Sequence, residues 1–142
     1  MVNPLAEVLQ ETRRLYEAMY RFDNAAAAEL GIHPSDLRCV NALEKGPLSA
    51  GEIGMRLGLT SGSVTALINR LEKARFVVKQ RSKLDGRQLE VSLQSTFYQR
   101  AEEVYGRLGQ CLGQQFESLG DADLERGAIM LRLLAQGFDQ AG

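Results

Sequence analysis

Apolar residues recur every three or four positions near both ends of the chain, and they alternate with polar residues over a short central stretch. The first helical stripe runs from Pro4 to Leu30, and two more run from Phe97 to Leu119 and from Leu124 to Phe138. Between Leu89 and Leu93 the period falls to two, as in a strand with one buried face. The pattern therefore predicts a mainly α protein with a small β-hairpin wing and long helices at both ends.

The segment that begins at Leu48 predicts a short helix followed by a sharp turn. Ser49 and Glu52 have the spacing of a capping box, in which the side chain of each residue accepts a hydrogen bond from the backbone N–H of the other. Gly54 leaves room for a second helix to cross closely, as a helix-turn-helix requires, and Gly58 supplies the turn. We therefore expect the first helix of a helix-turn-helix here.

The second helix of the pair is predicted to begin after a cap at Thr60 or Ser61. Its buried face is expected to consist of apolar residues at helical spacing, namely Val64, Leu67, Ile68 and Leu71. Its outward face is predicted to carry short polar side chains and one cation, namely Ser61, Ser63, Thr65, Asn69 and Arg70.

A β-hairpin is predicted after the second helix. The strand 77–81 is expected to pair with the alternating segment 89–93, and the intervening loop ends at Gly86, which is free to take a positive φ. Asp85 lies beside Arg87 at the loop tip, where its carboxylate is expected either to brace the arginine or to draw it back from solvent. The hairpin therefore completes a winged helix-turn-helix.

Charge is distributed unevenly along the chain. The 142 residues carry a formal net charge of −1, and the pI of 5.9 does not itself indicate a nucleic-acid binder. From Arg56 to Glu90, however, eight cationic residues face three acidic ones, and the remainder holds nine cationic and fifteen acidic residues. A basic module on an acidic body suits phosphate binding by one face.

Short polar side chains on an exposed helix suit the major groove of DNA, where each base pair presents its own hydrogen-bond pattern. The alternatives are an ordinary helical hairpin with a solvated polar face and a plain surface hairpin. The clustered cations favour DNA. The predicted DNA-binding residues are Ser61, Ser63, Thr65, Asn69, Arg70, Lys79, Arg81, Lys83, Asp85 and Arg87.

Three features of the chain resemble the MarR family of bacterial transcriptional regulators: the helix-turn-helix from Ser49, the run LINRLEKARFV, and the wing Asp85-Gly86-Arg87 followed by LEVSL. The resemblance covers nearly the whole chain. It implies one MarR-type domain over 1–142, with a winged helix-turn-helix module at 34–95 and helical dimerisation regions at 1–32 and 96–142. It also implies that Arg87 enters the minor groove while Asp85 holds its guanidinium in position.

The terminal stripes are too long to be buried by so small a module, so they are expected to pack against a second copy of the chain. In the MarR family these helices interlock between subunits, which implies a homodimer. The alternative is a monomer whose two long helices pair with each other.

A small-molecule site is predicted where the first helix meets the second. The resemblance implies that this region holds a small aromatic or phenolic effector, and its candidate residues are Tyr16, Met19, Tyr20 and Cys39. Core packing explains these residues equally well. Both cysteines fall on apolar stripes and are interpreted as small buried hydrophobic residues.

Other classes of function are disfavoured. No catalytic constellation or phosphate-binding glycine loop is present, and one histidine without a Cys-x-x-Cys pair gives no metal-ligand set, so neither enzyme activity nor a cofactor is expected. No apolar run is long enough to span a bilayer and no signal-peptide pattern begins the chain, which predicts a cytoplasmic protein. The prediction is a homodimeric repressor of a pseudo-palindromic operator, released by an effector. The alternative is a dimeric winged-helix protein-interaction module without sequence-specific DNA binding.

Overall fold

The computed structural model describes residues 3–142, and within that range the chain forms six helices and three strands. They are, in chain order, α1 (Pro4–Leu30), α2 (Pro34–Leu43), β1 (Leu48–Ser49), α3 (Ala50–Leu57), α4 (Ser61–Lys73), β2 (Val77–Arg81), β3 (Leu89–Leu93), α5 (Ser95–Gln115) and α6 (Asp121–Ala141). The chain divides into two compact units, one ending at Val104 and the other covering Tyr105–Gly142. The prediction of a mainly α protein with a small β wing is confirmed.

Helix α1 begins and ends as the sequence predicts. The Asn3 side chain accepts a hydrogen bond of 3.0 Å from the Leu5 N–H, and Pro4 occupies the first turn, where its missing N–H costs nothing. Gly31 ends the helix in the left-handed conformation at φ 73°, which a residue with a Cβ rarely adopts. The buried part of α1 is confined to its C-terminal end and comprises Ala26, Ala27 and Leu30.

The helix-turn-helix is formed by α3 and α4 with the predicted cap and turn, although among the described residues no bond from the Ser49 N–H to the Glu52 side chain completes the predicted capping box. The Ser49 hydroxyl caps α3 by accepting from the Glu52 N–H at 3.2 Å. A Cβ at Gly54 would lie 3.2 Å from the Leu59 carbonyl oxygen and 3.3 Å from a methyl group of Val64, which is tighter than ordinary van der Waals contact. Gly58 makes the turn at φ 67°. The two helices therefore meet closely because residue 54 lacks a side chain.

The wing belongs to a three-stranded antiparallel sheet with the order β1-β3-β2. Strands β2 and β3 pair over five residues, with Val77 opposite Leu93 and Arg81 opposite Leu89. Leu48 pairs with Val91 on the other edge of β3, so β1 adds a strand that the sequence analysis did not predict. Two residues are too short for an alternating pattern, which explains why β1 was missed.

The core of the first unit joins the sheet to the helices. Phe76, at the start of the hairpin, meets Phe97 of α5 edge to face, with ring centroids 5.5 Å apart and an angle of 74° between the rings. Both rings are almost fully buried. The predicted buried face of α4 and the apolar residues of α2 are also buried, namely Val64, Leu67, Ile68, Leu71, Leu37, Cys39, Val40 and Leu43.

The second unit differs from the sequence prediction in where its helix ends. The stripe that begins at Phe97 was expected to end at Gly120, but α5 ends at Gln115 and a turn leads to α6. In that turn the Leu119 N–H donates to the Phe116 carbonyl at 2.9 Å. The apolar pattern continues through the turn, so periodicity alone did not reveal it. No residue of α6 is buried.

The end of α4 has an unusual residue in its capping position. The Arg75 N–H donates to the Glu72 carbonyl and the Phe76 N–H donates to the Leu71 carbonyl, at 3.0 and 2.9 Å, which is the hydrogen-bond pattern of a Schellman motif. Arg75 occupies the left-handed position of this motif at φ 63°, where glycine is usual. The backbone strain at Arg75 is therefore maintained by the flanking packing.

We predict that Arg75→Gly raises the free energy of unfolding. Removing the Cβ relieves about 1–2 kcal/mol of strain in the left-handed conformation. The greater conformational freedom of glycine in the unfolded chain offsets part of this gain, so the net increase in the free energy of unfolding is roughly 0.5–1 kcal/mol. Urea unfolding followed by circular dichroism measures the change. Arg75→Ala is the control, since it removes the same side chain and retains the Cβ. An equal gain in both variants would contradict the strain argument.

Candidate nucleic-acid interface

The outward face of α4 is lined by short polar side chains, as the sequence predicts. Ser61, Ser63 and Thr65 are all exposed. The Thr60 side chain caps the helix by accepting from the Ser63 N–H at 3.3 Å, and its hydroxyl donates to the Ser63 hydroxyl at 3.0 Å. The Thr65 hydroxyl donates to the Ser61 carbonyl at 2.9 Å. These bonds fix the hydroxyl groups on the first turns and leave them accessible to a ligand.

Asn69 connects α4 to the wing through a lysine. Its side-chain oxygen accepts from the Lys79 ammonium at 3.3 Å, and the same ammonium lies 3.7 Å from a carboxylate oxygen of Glu72. All three side chains are partly exposed, so the ion pair contributes little to stability. Its consequence is positional, because it holds the predicted base-reading amide and a predicted phosphate-binding cation next to each other.

Arg70 is held by a partner that the sequence analysis did not identify. Its guanidinium donates twice to the carboxylate of Asp36 in α2, from Nη2 to Oδ1 at 2.7 Å and from Nε to Oδ2 at 3.2 Å. The Asp36 side chain is fully buried, whereas the Arg70 side chain is 42% exposed. Arg70 was predicted to contact DNA, and the structure gives it a second role, because it joins the C-terminal half of α4 to α2.

Asp36 is surrounded by two kinds of partner. Besides Arg70, its carboxylate accepts from the His33 backbone N–H at 3.2 Å, which is one half of a capping box at the start of α2. The signal in the sequence was an acid three residues after His33, just ahead of the buried stripe that Leu37 begins. That spacing indicates a cap, but it does not reveal that an arginine 34 residues later shares the carboxylate.

The buried carboxylate also affects its neighbours electrostatically. The hydrogen bond that Arg70 donates to Asp36 raises the pKa of Arg70, so the guanidinium remains charged. Burial raises the pKa of the Cys39 thiol to about 11, and the nearby charge of Asp36 acts in the same direction. Cys39 is therefore a protonated, unreactive thiol at neutral pH. Cys111 is exposed, which corrects the expectation that both cysteines are buried.

The wing loop is ordered by hydrogen bonds that differ from the predicted ones. The Asp85 carboxylate accepts from the Arg87 backbone N–H at 3.0 Å, and no ion pair joins these two side chains within residues 3–142. Gly86 does not take a positive φ. Arg81 secures the loop instead by donating from Nη1 to the Gly86 carbonyl at 2.9 Å. Asp85 thus shapes the backbone at Arg87 and does not hold its guanidinium.

The four predicted effector residues differ in their exposure to solvent. Tyr16, Met19 and Tyr20 are 55–69% exposed on α1, with the two tyrosine rings stacked at a centroid distance of 6.5 Å. Cys39 is fully buried. Two cavities flank α4 and neither is lined by these four residues: one of about 450 Å³ lies between α3 and α4, and one of about 300 Å³ lies beside Asp36 and Arg70.

Two further predictions concern metals and membranes. Residues 3–142 contain no group of three or more histidine, cysteine, aspartate or glutamate side chains placed to hold a metal ion. Over the same residues, no helix combines the length and the apolar character that crossing a membrane requires.

The geometry defines a winged helix-turn-helix protein: a helix with an outward polar face lies beside an ordered cationic hairpin, and a three-stranded sheet joins them. Residues 30–88 match the family model described as MarR family. The uncharacterized HTH-type transcriptional regulator YcgE of Bacillus subtilis (strain 168) is 44% identical over 82 residues, which is 57% of this chain and 53% of that protein. The chain therefore aligns with about half the length of this relative.

Solved structures show the same fold over almost the whole chain. A MarR family protein from Bacillus stearothermophilus is similar with a TM-score of 0.73 and 22% identity, covering 98% of this chain and 99% of that one. A variant of S. aureus MepR, determined bound to an oligodeoxyribonucleotide, is similar with a TM-score of 0.61 and 15% identity, covering 92% and 97%. The central module of the chain thus resembles the MarR family over residues 30–88, and the fold is that of solved MarR family structures.

We predict that Arg70→Ala lowers the free energy of unfolding by about 3 kcal/mol. The change removes two of the three hydrogen-bond donors of the buried Asp36 carboxylate and leaves only the His33 backbone N–H. Asp36→Ala should cost less, about 2 kcal/mol, since the freed guanidinium can reach water. Arg56→Ala, which removes an exposed cation from α3, is the control and should cost less than about 0.5 kcal/mol. Urea unfolding measures all three. Equal stability of the Arg70 and Arg56 variants would show that Arg70 has no structural role.

Proposed function

We propose that this chain is a sequence-specific DNA-binding repressor that acts as a homodimer on a pseudo-palindromic operator. The observation that carries the proposal is the concentration of cations on one module. Arg70, Lys79, Arg81, Lys83 and Arg87 lie on α4 and the wing, in a segment with a cationic excess, whereas the rest of the chain is acidic. A duplex docked by its phosphates on this face brings the α4 hydroxyls and Asn69 to the base edges of the major groove.

The proposal assigns separate roles to the exposed residues. Ser61, Ser63, Thr65 and Asn69 read bases, and the cations Lys79, Arg81 and Lys83 bind phosphates. Arg87 enters the neighbouring minor groove, where a narrow groove concentrates negative potential. Asp85 supports Arg87 through its backbone. The DNA-bound MepR variant is a relative of the same fold, which supports a nucleic-acid ligand for this face.

The homodimer rests on the apolar surfaces of the terminal helices. In α1, Leu5, Leu9 and Leu15 are between 44% and 62% exposed, although they lie on the predicted stripe or next to it. In α6, Leu124, Ile129, Met130, Leu131, Leu133 and Phe138 are between 43% and 59% exposed. Apolar surface of this extent is typical of a protein interface. Two modules joined in this way are expected to lie about 34 Å apart, one helical turn of DNA.

An effector completes the proposal. Tyr16, Met19 and Tyr20 offer an aromatic and polarisable surface on α1 to a small aromatic or phenolic molecule. Cys39 lies on the buried face of α2 and contributes only as part of the packed core. Release of DNA then requires that the effector bind the DNA-free arrangement of the dimer more tightly than the DNA-bound one.

We expect Arg87→Ala to weaken operator binding by about 1–3 kcal/mol and to reduce the slope of log K against log salt by about one unit, because one phosphate-attracted cation is lost. Asp85→Ala should weaken binding less and leave the salt slope unchanged, since only the backbone turn is loosened. Fluorescence-anisotropy titration across a salt series, with a duplex selected from a randomised pool, measures both.

Arg126→Ala, a change in α6, is the matched control for charge and should leave the salt slope at the wild-type value. If the wild-type protein binds every duplex equally, sequence-specific DNA binding is refuted and the protein-interaction module is favoured. If Arg87→Ala binds like the wild type, the assignment of the wing to the minor groove is refuted.

The dimer is tested by placing a charge on the apolar stripe of the second unit. Leu119→Asp should bury an unpaired carboxylate in the interface and shift the protein from dimer to monomer, with loss of operator binding. Gln114→Asp introduces the same charge at a polar, exposed position of α5 and should leave the dimer intact. Sedimentation velocity at micromolar concentration distinguishes the species. A monomeric wild-type protein would overturn the proposal.

A further inference from the structure

The tip of the wing carries a leucine that the DNA-binding assignment does not use. Leu84 is 99% exposed, which is the highest value among the exposed large apolar side chains of residues 3–142. Its neighbours in the loop are polar, charged or glycine: Ser82, Lys83, Asp85, Gly86 and Arg87. A single exposed leucine on a flexible loop is ordinary. The local backbone shows that this one is held in place.

The loop around Leu84 is built to present it. The Ser82 hydroxyl is buried under the loop and accepts from the N–H groups of Leu84 and Asp85, both at 3.2 Å. The Gln88 N–H donates to the Asp85 carbonyl at 3.0 Å, closing the loop beyond the tip. Together with the bond from Arg81 to the Gly86 carbonyl, these contacts fix the backbone on both sides of Leu84. The conformational entropy of the tip is therefore lost when the protein folds, and ligand binding does not have to order the tip again.

The charges beside Leu84 indicate what it meets. Lys83 and Arg87 are exposed within three residues of it, so a polyanion is the ligand that the tip attracts. The sugar edges that wall the minor groove of DNA are apolar, and they lie between the phosphates that these two cations can reach. A leucine flanked by two cations matches an apolar sugar wall flanked by phosphates. The leucine side chain is therefore more favourably placed against that wall than in solvent.

We propose that Leu84 enters the minor groove beside each half-site, packs against the deoxyribose walls, and makes the wing prefer A·T over G·C pairs. The proposal rests on the DNA-binding function proposed above and adds a specificity-determining residue to it. The discrimination follows from chemistry. A G·C pair places the guanine N2 amino group in the minor groove, and A·T pairs have no donor there. Leucine has no acceptor, so covering that amino group leaves it without a hydrogen bond.

The first test measures the apolar contact. Leu84→Ala should weaken binding of a selected duplex of about 30 bp, which is long enough for two half-sites one turn apart, by roughly tenfold. The slope of log K against log salt should stay at the wild-type value, because no charge is removed. Leu89→Ala, which removes the same side chain from the stem of the hairpin, is the matched control and should change affinity less than about twofold. Thermal unfolding confirms that both variants fold.

The second test measures the base preference with analogues that alter only the minor groove. Replacing adenine by diaminopurine adds an amino group there, and replacing guanine by inosine removes one, while the major-groove pattern of each pair is largely retained. Scanned along the duplex, diaminopurine at the wing position should weaken the wild type several-fold and inosine should restore binding where G·C had reduced it. Neither analogue should affect Leu84→Ala at that position.

The outcomes separate this inference from the proposed function. If the wild type binds no duplex selectively, the proposed function fails first. If the wild type binds selectively but Leu84→Ala binds equally well, or loses no more than Leu89→Ala, the minor-groove contact is refuted alone. If Leu84→Ala weakens binding and still responds to diaminopurine like the wild type, Leu84 packs on DNA without reading it, and the A·T preference is refuted.

Discussion

The bidentate pair between Asp36 and Arg70 is the contact on which the arrangement of the module depends. A carboxylate with no exposed surface requires hydrogen-bond donors, and it obtains them from the start of α2 and from α4. The planar guanidinium fork fixes angle as well as distance, which an ammonium group does not. Helix α4 is thus oriented at its C-terminal half by a buried charge, and the polar side chains of its N-terminal half remain exposed.

Local signals in the sequence predicted the helix-turn-helix and wing because each depends on a few adjacent residues. Ser49, Gly54 and Gly58 have their roles whatever the rest of the chain does, and the structure confirms all three. Contacts between distant segments were missed for the opposite reason. Asp36 with Arg70, and Leu48 with Val91, are pairings that no periodicity encodes. Arg75 was missed because glycine, and not arginine, is the usual signal for a left-handed cap.

At the wing, the contact predicted between the side chains of Asp85 and Arg87 differs from the contact in the structure. An aspartate two residues before an arginine suggests an ion pair, but the same spacing also lets the carboxylate accept from the arginine's own backbone N–H, as Asp85 does. The second arrangement leaves the guanidinium of Arg87 available. It also makes the loop depend on Arg81 and Ser82, neither of which the sequence indicated as a support. The charge pattern therefore indicates where the cations cluster along the chain, but it does not indicate the hydrogen bonds that they and their neighbours make.

The pairing of β3 with a strand on each side affects how the wing is connected to the helices. One edge of β3 is bonded to the residues immediately before α3, and the other edge is bonded to β2, which follows α4 after a short turn. The wing and the two helices of the helix-turn-helix are therefore joined through one sheet, so β3 connects the part proposed for the major groove to the part proposed for the minor groove. For a duplex contacted by both, the separation of the two grooves has to match a length set by the protein. In the proposed complex, any mismatch would be absorbed by twist in the DNA, so base steps without a protein contact would influence which site is bound.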